Sequence, residues 1–229
     1  MANKDQLLEN AKKANVLKQY REAEDSCSKA IKKENKFISA YLERAKARVG
    51  KGELQNAISD LDCVVNLVRE IYFSDRPEKF EKRLDKHMRY EFAHQHWNAE
   101  RKQQIKEIFI SALTERSDVK FQLNNFDGAE ADIIYVINFL GAHNVVNYDR
   151  RFLIRKRLKK YNEALSDMNT CIAIDGGITY QYYMKRAELY ILLGDYEAAL
   201  TDYNNVIFLK ISHYPPLPTA VDHYQRACV

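Results

Sequence analysis

The stretch Tyr183–Asp202 reads YMKRAELYILLGDYEAALTD, and it decides the fold expected for the whole chain. On both sides of Gly194 and Asp195, apolar residues recur at three- and four-residue intervals, the spacing of amphipathic α-helices. Gly-Asp is a turn signal, so the two helices should fold back on each other as an antiparallel hairpin. One hairpin cannot bury its apolar faces alone, and the pattern is therefore expected to recur along the chain.

An aromatic residue or leucine followed three residues later by alanine marks the second helix of this hairpin and occurs five times. The five pairs are Tyr20–Ala23, Leu54–Ala57, Phe126–Ala129, Tyr161–Ala164 and Tyr196–Ala199. The alanines are 34, 72, 35 and 35 residues apart, so the period is about 34 residues with one interruption. The pattern predicts an all-α chain without strands, with turns near 18–19, 51–52, 124–125, 159–160 and 194–195.

A helix-turn-helix period of this length, with these small and aromatic positions, resembles the tetratricopeptide repeat (TPR). The resemblance covers five copies, at 4–37, 38–71, 110–143, 145–178 and 180–213. It departs from the family because none of the five copies closes on the usual proline, and Asp175-Gly176-Gly177 forms one of the breaks. The resemblance implies an all-α, right-handed superhelical solenoid of antiparallel helix hairpins.

Four parts are expected along this solenoid. Two N-terminal repeats occupy 4–71, a charged helical insert occupies 72–109, three repeats occupy 110–213, and a Pro-rich linker with the start of a further repeat helix occupies 214–229. The insert is either a long helix that runs into the next repeat or a degenerate repeat, because Tyr90 and Ala93 copy the signature. Glu100 and Arg101 stand where other repeats have small or apolar residues, which favours the long helix.

The end of the sequence resembles the start of another repeat. His223–Val229 aligns with Tyr41–Ala47 and with Tyr183–Leu189, which makes Arg226 equivalent to the arginine of each earlier repeat. We therefore expect 220–229 to be a helix packed on the fifth repeat. A further polypeptide or missing C-terminal repeats should then complete the solenoid, because terminal repeats need a cap.

In four of the five repeats an arginine precedes an aspartate by sixteen residues. The pairs are Arg44–Asp60, Arg116–Asp132, Arg151–Asp167 and Arg186–Asp202, and the first repeat has Asn10 and Ser26 instead. The midpoint of each interval lies at a predicted turn, so the two side chains should face each other at equal height on antiparallel helices. We interpret them as structural ion pairs rather than as ligand-binding arginines.

Composition favours an ordinary soluble protein without a cofactor. The 229 residues are 46% hydrophobic and 30% charged, and the net charge of +4 is too small to indicate nucleic acid by itself. No apolar stretch is long enough to span a membrane. The four cysteines show no CxxC or Cys/His spacing, so a reduced, cytoplasmic setting without a metal or other cofactor is expected. The Arg-Ala and Asp positions of these repeats resemble those of some co-chaperones and ciliary scaffold proteins, so cytoskeletal or ciliary association is also compatible with the sequence.

Catalytic motifs are not found in the sequence. It contains neither a Gly-rich phosphate loop nor a GxSxG nucleophile elbow. His87, Glu91 and His94 share one helical face, but a zinc site would need further ligands and the HExxH arrangement is absent. The chain is therefore not expected to be an enzyme.

In the TPR family the first helices of the repeats line a concave groove that takes a peptide or a helix of a partner protein. The resemblance places in that groove Leu8, Lys12, Leu42, Lys46, Val49, Phe121, Leu153, Lys156, Met184 and Ile191, with Asn15, Thr114, Asp118, Asp149 and Glu188 between them. Contiguous apolar surface usually marks an interaction site. The main interpretation is a protein–protein adaptor or scaffold, unless the chain's own insert or tail covers these residues.

A co-chaperone adaptor is one alternative. One TPR subset captures acidic C-terminal tails of chaperones through a clamp of lysine, asparagine and arginine side chains. At the matching places this chain has Leu8 and Lys12, then Glu43, then Thr114 and Asp118, so the clamp is not matched.

A basic patch supports the other alternative, a nucleic-acid binder. It consists of Arg150, Arg155, Lys156, Arg157, Lys159 and Lys160. Such a density of positive charge could bind an acidic tail, a phosphorylated segment or nucleic acid, or could be a solvated outer face. Nucleic acid is the less expected ligand, because stacking aromatic side chains are not interleaved with the basic residues.

Overall fold

The computed structural model describes residues 2–72, 99–213 and 225–227, and the chain divides into two units, Met1–Leu140 and Gly141–Val229. The described helices of the first unit are α1 (Lys4–Val16), α2 (Tyr20–Lys33), α3 (Ile38–Gly50), α4 (Leu54–Tyr72), α5 (Ala99–Gln122) and α6 (Phe126–Asn138). Those of the second unit are α7 (Val145–Arg157), α8 (Tyr161–Asp175), α9 (Tyr180–Leu193) and α10 (Tyr196–His213). No residue in the described ranges lies in a strand, so the all-α prediction is confirmed.

Consecutive helices pack in pairs, α1 on α2, α3 on α4 and α5 on α6 in the first unit, and α7 on α8 and α9 on α10 in the second. Within the first unit α2 also packs on α3 and α4 on α5, and within the second α8 packs on α9. Each unit is therefore a row of helix hairpins in which every second helix contacts the first helix of the next hairpin. All five predicted turns fall between the two helices of a pair.

The five hairpin turns share one backbone conformation. Each contains a residue with left-handed φ between 59° and 79°, at Lys18, Gly52, Asn124, Lys159 and Gly194. The N–H of the next residue then donates to the carbonyl five residues back at 2.8–2.9 Å, as from Gln19 to Ala14 and from Asp195 to Tyr190. This bond satisfies a carbonyl at the end of the first helix, so the helix ends at a fixed place in each repeat.

Small side chains allow the helices of each hairpin to approach closely. The signature residues Ala23, Ala57, Ala129, Ala164 and Ala199 are all fully buried. Ala11, Ala45, Ser117 and Ala187 are equally buried on the first helices. The Ser117 hydroxyl donates to the Ala129 carbonyl at 2.8 Å, which ties α5 to α6 at this point. The fourth repeat has Phe152 instead, and its ring fills a cluster with Ala164, Met168, Cys171 and Leu189.

Helix α5 runs without a break from Ala99 to Gln122, so residues 99–109 belong to the same helix as the start of the third repeat. Tyr72, the first residue of the predicted insert, is the last residue of α4, and the part at 73–98, with the signature copy at 90–93 and the histidines at 87 and 94, lies outside the described residues. Of 220–229, only 225–227 are described, and they are helical. None of the helices in the described ranges has the length and hydropathy needed to cross a bilayer.

Candidate functional site

The four predicted arginine–aspartate pairs are formed, each between the two helices of one hairpin. Arg44 donates to Asp60 from Nε at 3.0 Å and from Nη2 at 2.7 Å, and Arg116 donates to Asp132 at 2.9 and 2.6 Å. Arg151–Asp167 and Arg186–Asp202 repeat this two-atom contact, with Nη2 at 2.6 and 2.7 Å from the carboxylate. All four aspartates are buried. Such buried carboxylates need their cations, because a lost partner would leave an uncompensated charge.

A second cation neutralises three of the four aspartates, and the sequence analysis does not predict it. Arg48, Lys120 and Arg155 stand four residues after Arg44, Arg116 and Arg151, and bond to Asp60, Asp132 and Asp167 at 2.8, 2.7 and 2.9 Å. The signal is visible in the sequence as a basic residue one helical turn after each of these three arginines. The fifth repeat has Tyr190 at this place, with the Arg186 guanidinium 5.9 Å from its ring centroid.

In three of the four pairs the remaining guanidinium nitrogen of the arginine, Nη1, reaches the preceding hairpin. Nη1 of Arg44 donates to Ser28 Oγ at 3.2 Å, and Nη1 of Arg186 donates to Asn169 Oδ1 at 2.7 Å. Arg116 makes the same kind of bond to Asp62 at 2.8 Å. The three acceptors lie on α2, α8 and α4, each five residues after the signature alanine. One guanidinium therefore fixes both the hairpin and its contact with the previous second helix.

Two predicted groove residues of the first unit do not present apolar surface. Leu8 and Leu42 are each only 8% exposed, and Leu8 packs with Leu7, Ala30 and Ala40. Thr114 is buried as well. The next residue along each helix is more accessible: Glu43 and Glu115 are half-buried and Glu9 is exposed. Leu8, Leu42 and Thr114 are therefore packing residues, contrary to the prediction, and the surface beside them is formed by polar residues such as Glu43 and Glu115.

The other predicted positions of the first unit do reach the surface. Lys12 is exposed, and Lys46, Val49 and Phe121 are half-buried. Phe121 packs edge-on against Phe126, with ring centroids 5.3 Å apart, which holds it close to its own turn.

A cleft of about 450 Å³ opens on this face of the first unit, lined by Lys12, Asn15, Val16, Tyr20, Glu43 and Lys46. The Asn15 amide donates both to the Glu43 carbonyl and to Glu43 Oε2 at 2.9 Å, which joins α1 to α3. Lys46 donates to Glu43 Oε1 at 2.9 Å and lies 3.8 Å from Glu115 Oε1 on α5. The arrangement is a chain of polar side chains across three first helices.

Glu115 has an unusual electrostatic environment within this chain of side chains. Burial raises the pKa of its carboxyl group to about 7, and the nearby carboxylates of Glu43 and Asp118 act in the same direction. Lys46 and the Ser111 hydroxyl, which donates at 3.2 Å, oppose the shift without cancelling it. At neutral pH, Glu115 is therefore near the midpoint of its titration.

In the second unit the predicted face does carry accessible apolar side chains. Leu153 on α7 is 43% exposed and Ile191 on α9 is 36% exposed, while Met184 is half-buried. Two ion pairs join these helices: Lys156 bonds to Glu188 at 2.5 Å, and Lys185 bonds to Asp149. The result is a face on which apolar side chains are framed by paired charges.

The basic patch of the second unit is largely committed to contacts within that unit. Arg155 donates to Asp167 at 2.9 Å and to the Glu163 carbonyl at 3.2 Å, and Lys156 pairs with Glu188. Arg150 contacts Asn147 at 3.4 Å, and Arg157 and Lys160 also interact with other residues. Lys159 is exposed at the left-handed position of its turn. The positive charge available to an external polyanion is smaller than the sequence suggests.

No metal centre is found in the described ranges, and two of the three cysteines there are buried. Within them, no group of three or more His, Cys, Asp or Glu side chains could hold a metal ion. Cys27 and Cys171 are buried, and burial raises the pKa of each thiol to about 12. Both therefore remain protonated and serve as small core residues.

Comparisons with known proteins agree with this architecture. The sequence model of the tetratricopeptide repeat matches residues 180–209, which lie in the fifth hairpin. No curated protein is significantly similar to the chain in sequence.

Solved structures resemble the chain over most of its length. The MamA protein is 13% identical with a TM-score of 0.68, and the match covers 94% of this chain and 98% of that one. MamA of Desulfovibrio magneticus RS-1 is 14% identical with a TM-score of 0.68, covering 94% and 99%. YrrB, described as a TPR protein with an unusual peptide-binding site, is 12% identical with a TM-score of 0.62, covering 91% and 87%. At these identities the likeness concerns the fold.

Proposed function

We propose that this chain, which has the fold of a tetratricopeptide-repeat protein, is a non-enzymatic adaptor. It would hold a peptide or a helical segment of a partner protein against the first helices of its repeats. Proteins of this repeat family generally act as interaction modules, which supports the proposal. The observation that carries it is the exposure of Leu153 and Ile191 on the first helices of the second unit.

The surroundings of these side chains suit a binding surface. The Lys156–Glu188 pair bridges α7 and α9, so it helps to fix the spacing of the helices that carry Leu153 and Ile191. Apolar side chains on a preformed surface can gain burial on binding without much loss of conformational freedom. The paired charges beside them would confer selectivity, because a partner must satisfy or avoid them.

The test is capture of partner proteins from a native lysate by the immobilised full chain, with identification by mass spectrometry. Leu153→Glu places a charge on the proposed surface and should remove the captured proteins. Ile174→Glu is the matched control, since Ile174 is a similarly exposed apolar residue of the same unit but lies on the second helix α8. It should retain the wild-type set.

Capture of the same proteins by Leu153→Glu and by the wild type would contradict the proposed surface. Loss of capture by both variants would also contradict it, because the effect would not be specific to the first helices. Thermal unfolding of each variant shows whether the fold is intact before capture is compared.

A further inference from the structure

The contact between α8 and α9 shows how a second helix holds the first helix that follows it. Tyr161 and Leu165 of α8 pack against the buried cluster that contains Leu189 of α9. Four residues after Leu165, Asn169 accepts a hydrogen bond from Nη1 of Arg186 at 2.7 Å. Positions at four-residue intervals share one face of a helix. Tyrosine, leucine and a polar acceptor therefore form the face of α8 on which the arginine-bearing helix α9 packs.

Helix α10 carries the same three residue types at the same places. Tyr196, Leu200 and Asn204 each stand 35 residues after their counterparts in α8. On α10 all three are exposed, Tyr196 by 55% and Leu200 by 38%, whereas the tyrosine and leucine of α8 are half-buried. Ile211, seven residues after Asn204, continues the face and is 52% exposed. The fifth hairpin therefore presents to solvent a face of the kind that α8 uses to hold a first helix.

The polar acceptor indicates which kind of helix this face fits. Ser28 of α2 accepts a hydrogen bond from Nη1 of Arg44 at 3.2 Å. Asp62 of α4 accepts one from Nη1 of Arg116 at 2.8 Å. Asn204 occupies the same position of α10, five residues after the signature alanine. The helix that fits here should therefore carry an arginine at the register of the other first helices.

The segment 223–229 has this chemistry. Arg226 is followed by alanine, as in the Arg-Ala pair of α9, and Val229 stands three residues after the arginine, where α9 has Leu189. Residues 225–227 are helical, and Arg226 is exposed. The segment therefore offers both the guanidinium and the apolar residue that α9 brings to α8.

The connection is long enough, and a first helix from a second copy fits less well. Nine residues, 214–222, separate α10 from the segment, whereas four are sufficient between α8 and α9. In a second copy, α1 is the first helix without a preceding hairpin, but it has an exposed Asn10 in place of the arginine. It therefore lacks the guanidinium that this face accepts.

We propose that segment 223–229 docks on this face of α10 as a further first helix. In the docked state Arg226 donates to Asn204, and Val229 packs on Leu200. Docking removes apolar surface of α10 from water and provides the guanidinium with an acceptor. The contact does not involve Leu153 and does not depend on the adaptor function proposed above.

The experiment is chemical crosslinking of the full chain between two positions that docking brings together. The Lys156–Glu188 pair joins α7 to α9, and the counterparts of its members in the docked state are Ile191 and Cys228. In a Cys63→Ser background, a short bismaleimide reagent should link Ile191→Cys to Cys228 within one molecule. Mass spectrometry of tryptic peptides identifies the link, and the mass of the intact product shows whether it lies within one molecule.

Variants of the proposed contact test its register. Arg226→Ala should lower the rate of crosslinking about fivefold, because it removes the hydrogen bond to Asn204. Asn204→Asp should keep or raise the rate, since a carboxylate is the stronger acceptor for a guanidinium. Arg21→Ala removes an exposed arginine of α2 and should leave the rate unchanged. Ile174→Cys, at an exposed position of α8, replaces Ile191→Cys as the positional control and should not link to Cys228.

Two results would overturn the proposal directly: no link within one molecule, or an equal rate of crosslinking in Arg226→Ala. Links found only between two molecules would overturn it as well, because a second copy would then supply the helix that covers α10. The Leu153→Glu capture experiment is unaffected by any of these results, so the adaptor function and the docked segment fail separately.

Discussion

Arg186 donates two hydrogen bonds to Asp202, from Nε at 2.8 Å and from Nη2 at 2.7 Å, and this bond raises the pKa of the guanidinium. The equivalent aspartates of the three other paired repeats each contact a second cation, but the fifth repeat has Tyr190 in that place. The fifth hairpin thus depends on one guanidinium for a carboxylate that is 1% exposed.

Arg186→Ala should destabilise the protein more than Arg44→Ala. Removing one partner of a buried ion pair costs about 3–5 kcal/mol, and the cost should be lower for Asp60, which keeps its bond to Arg48. Urea unfolding midpoints of the two variants measure the difference. Arg21→Ala, at an exposed position of α2, is the control and should change the free energy of unfolding by less than about 0.5 kcal/mol. Equal midpoints for the two paired arginines would contradict the role of the second cation.

Lys159→Gly should stabilise the protein. Lys159 has a φ of 59°, a left-handed conformation that costs a residue with a Cβ roughly 1 kcal/mol relative to glycine. The expected gain is about 0.5–1 kcal/mol, read from the thermal midpoint. Asn124→Gly should gain less, since asparagine tolerates this conformation.

Gly194→Ala tests the same turn conformation in the opposite direction. The added methyl group would meet no atom within 4 Å, so a loss of about 1 kcal/mol would report on the backbone alone. An unchanged midpoint for both Lys159→Gly and Gly194→Ala would show that the left-handed turns carry no strain.

The raised pKa of Glu115 should appear in the pH dependence of stability. In the folded chain the pKa of Glu115 is about 7, above the ordinary glutamate value of 4.5, so between these values the folded state holds a proton that the unfolded state has lost. The free energy of unfolding should therefore fall as pH rises from about 5 to 7, by roughly 2 kcal/mol.

Glu115→Gln should remove this part of the pH dependence, and Glu22→Gln should keep it. Urea unfolding of the three proteins at pH 5 and pH 8 measures the difference. A Glu115→Gln protein with the slope of the wild type would show that Glu115 titrates at its ordinary pKa.

Leu42→Glu should destabilise the protein far more than Leu153→Glu, because Leu42 lies in the core and Leu153 on the surface. Leu42 is 8% exposed, so a glutamate there buries an unpaired charge or disrupts the packing of α3, and should cost several kcal/mol, about 3 or more. Leu153 is 43% exposed, and its replacement should cost less than about 1 kcal/mol. Circular dichroism melts of the two variants provide the comparison. A stable Leu42→Glu protein would show that Leu42 lies on the surface of the groove and not in the core.

The thiols should differ in their reaction with maleimide at pH 7.5. In a Cys228→Ser background, Cys63 should be labelled in the native protein because it is exposed, although burial of its thiol raises its pKa. Cys27 and Cys171 should react only after denaturation, since both are buried and have a pKa of about 12. Mass spectrometry of tryptic peptides assigns the labelled sites. Native labelling of Cys171 would indicate opening of the α7–α8 hairpin.

The turns and the ion pairs could be predicted because each depends on a local spacing. A left-handed residue stands two positions before each aromatic or leucine signature, as at Lys18 and Tyr20, and this fixes where the hairpin reverses. The sixteen-residue interval then sets Arg44 opposite Asp60. Both features are contained within one repeat, so a single sequence is enough to find them.

The burial of individual positions on the first helices could not be predicted. Leu42 and Glu43 are neighbours, and the repeat pattern alone does not say which of them faces outward. The burial of Leu42 depends on the helices packed around α3, which the sequence does not specify. The basic patch shows the same limit: the charge of Arg155 is visible in the sequence, but its bond to Asp167 forms only across the hairpin.

The third hydrogen bond of the arginines has a consequence for how each unit melts. Because Arg44 holds Asp60 in its own hairpin and Ser28 in the one before, unfolding either hairpin breaks contacts of the other. The same holds in the second unit for Arg186, which holds Asp202 and Asn169. Neighbouring hairpins are therefore thermodynamically coupled, and within a unit they should lose structure together on heating rather than peel away one at a time.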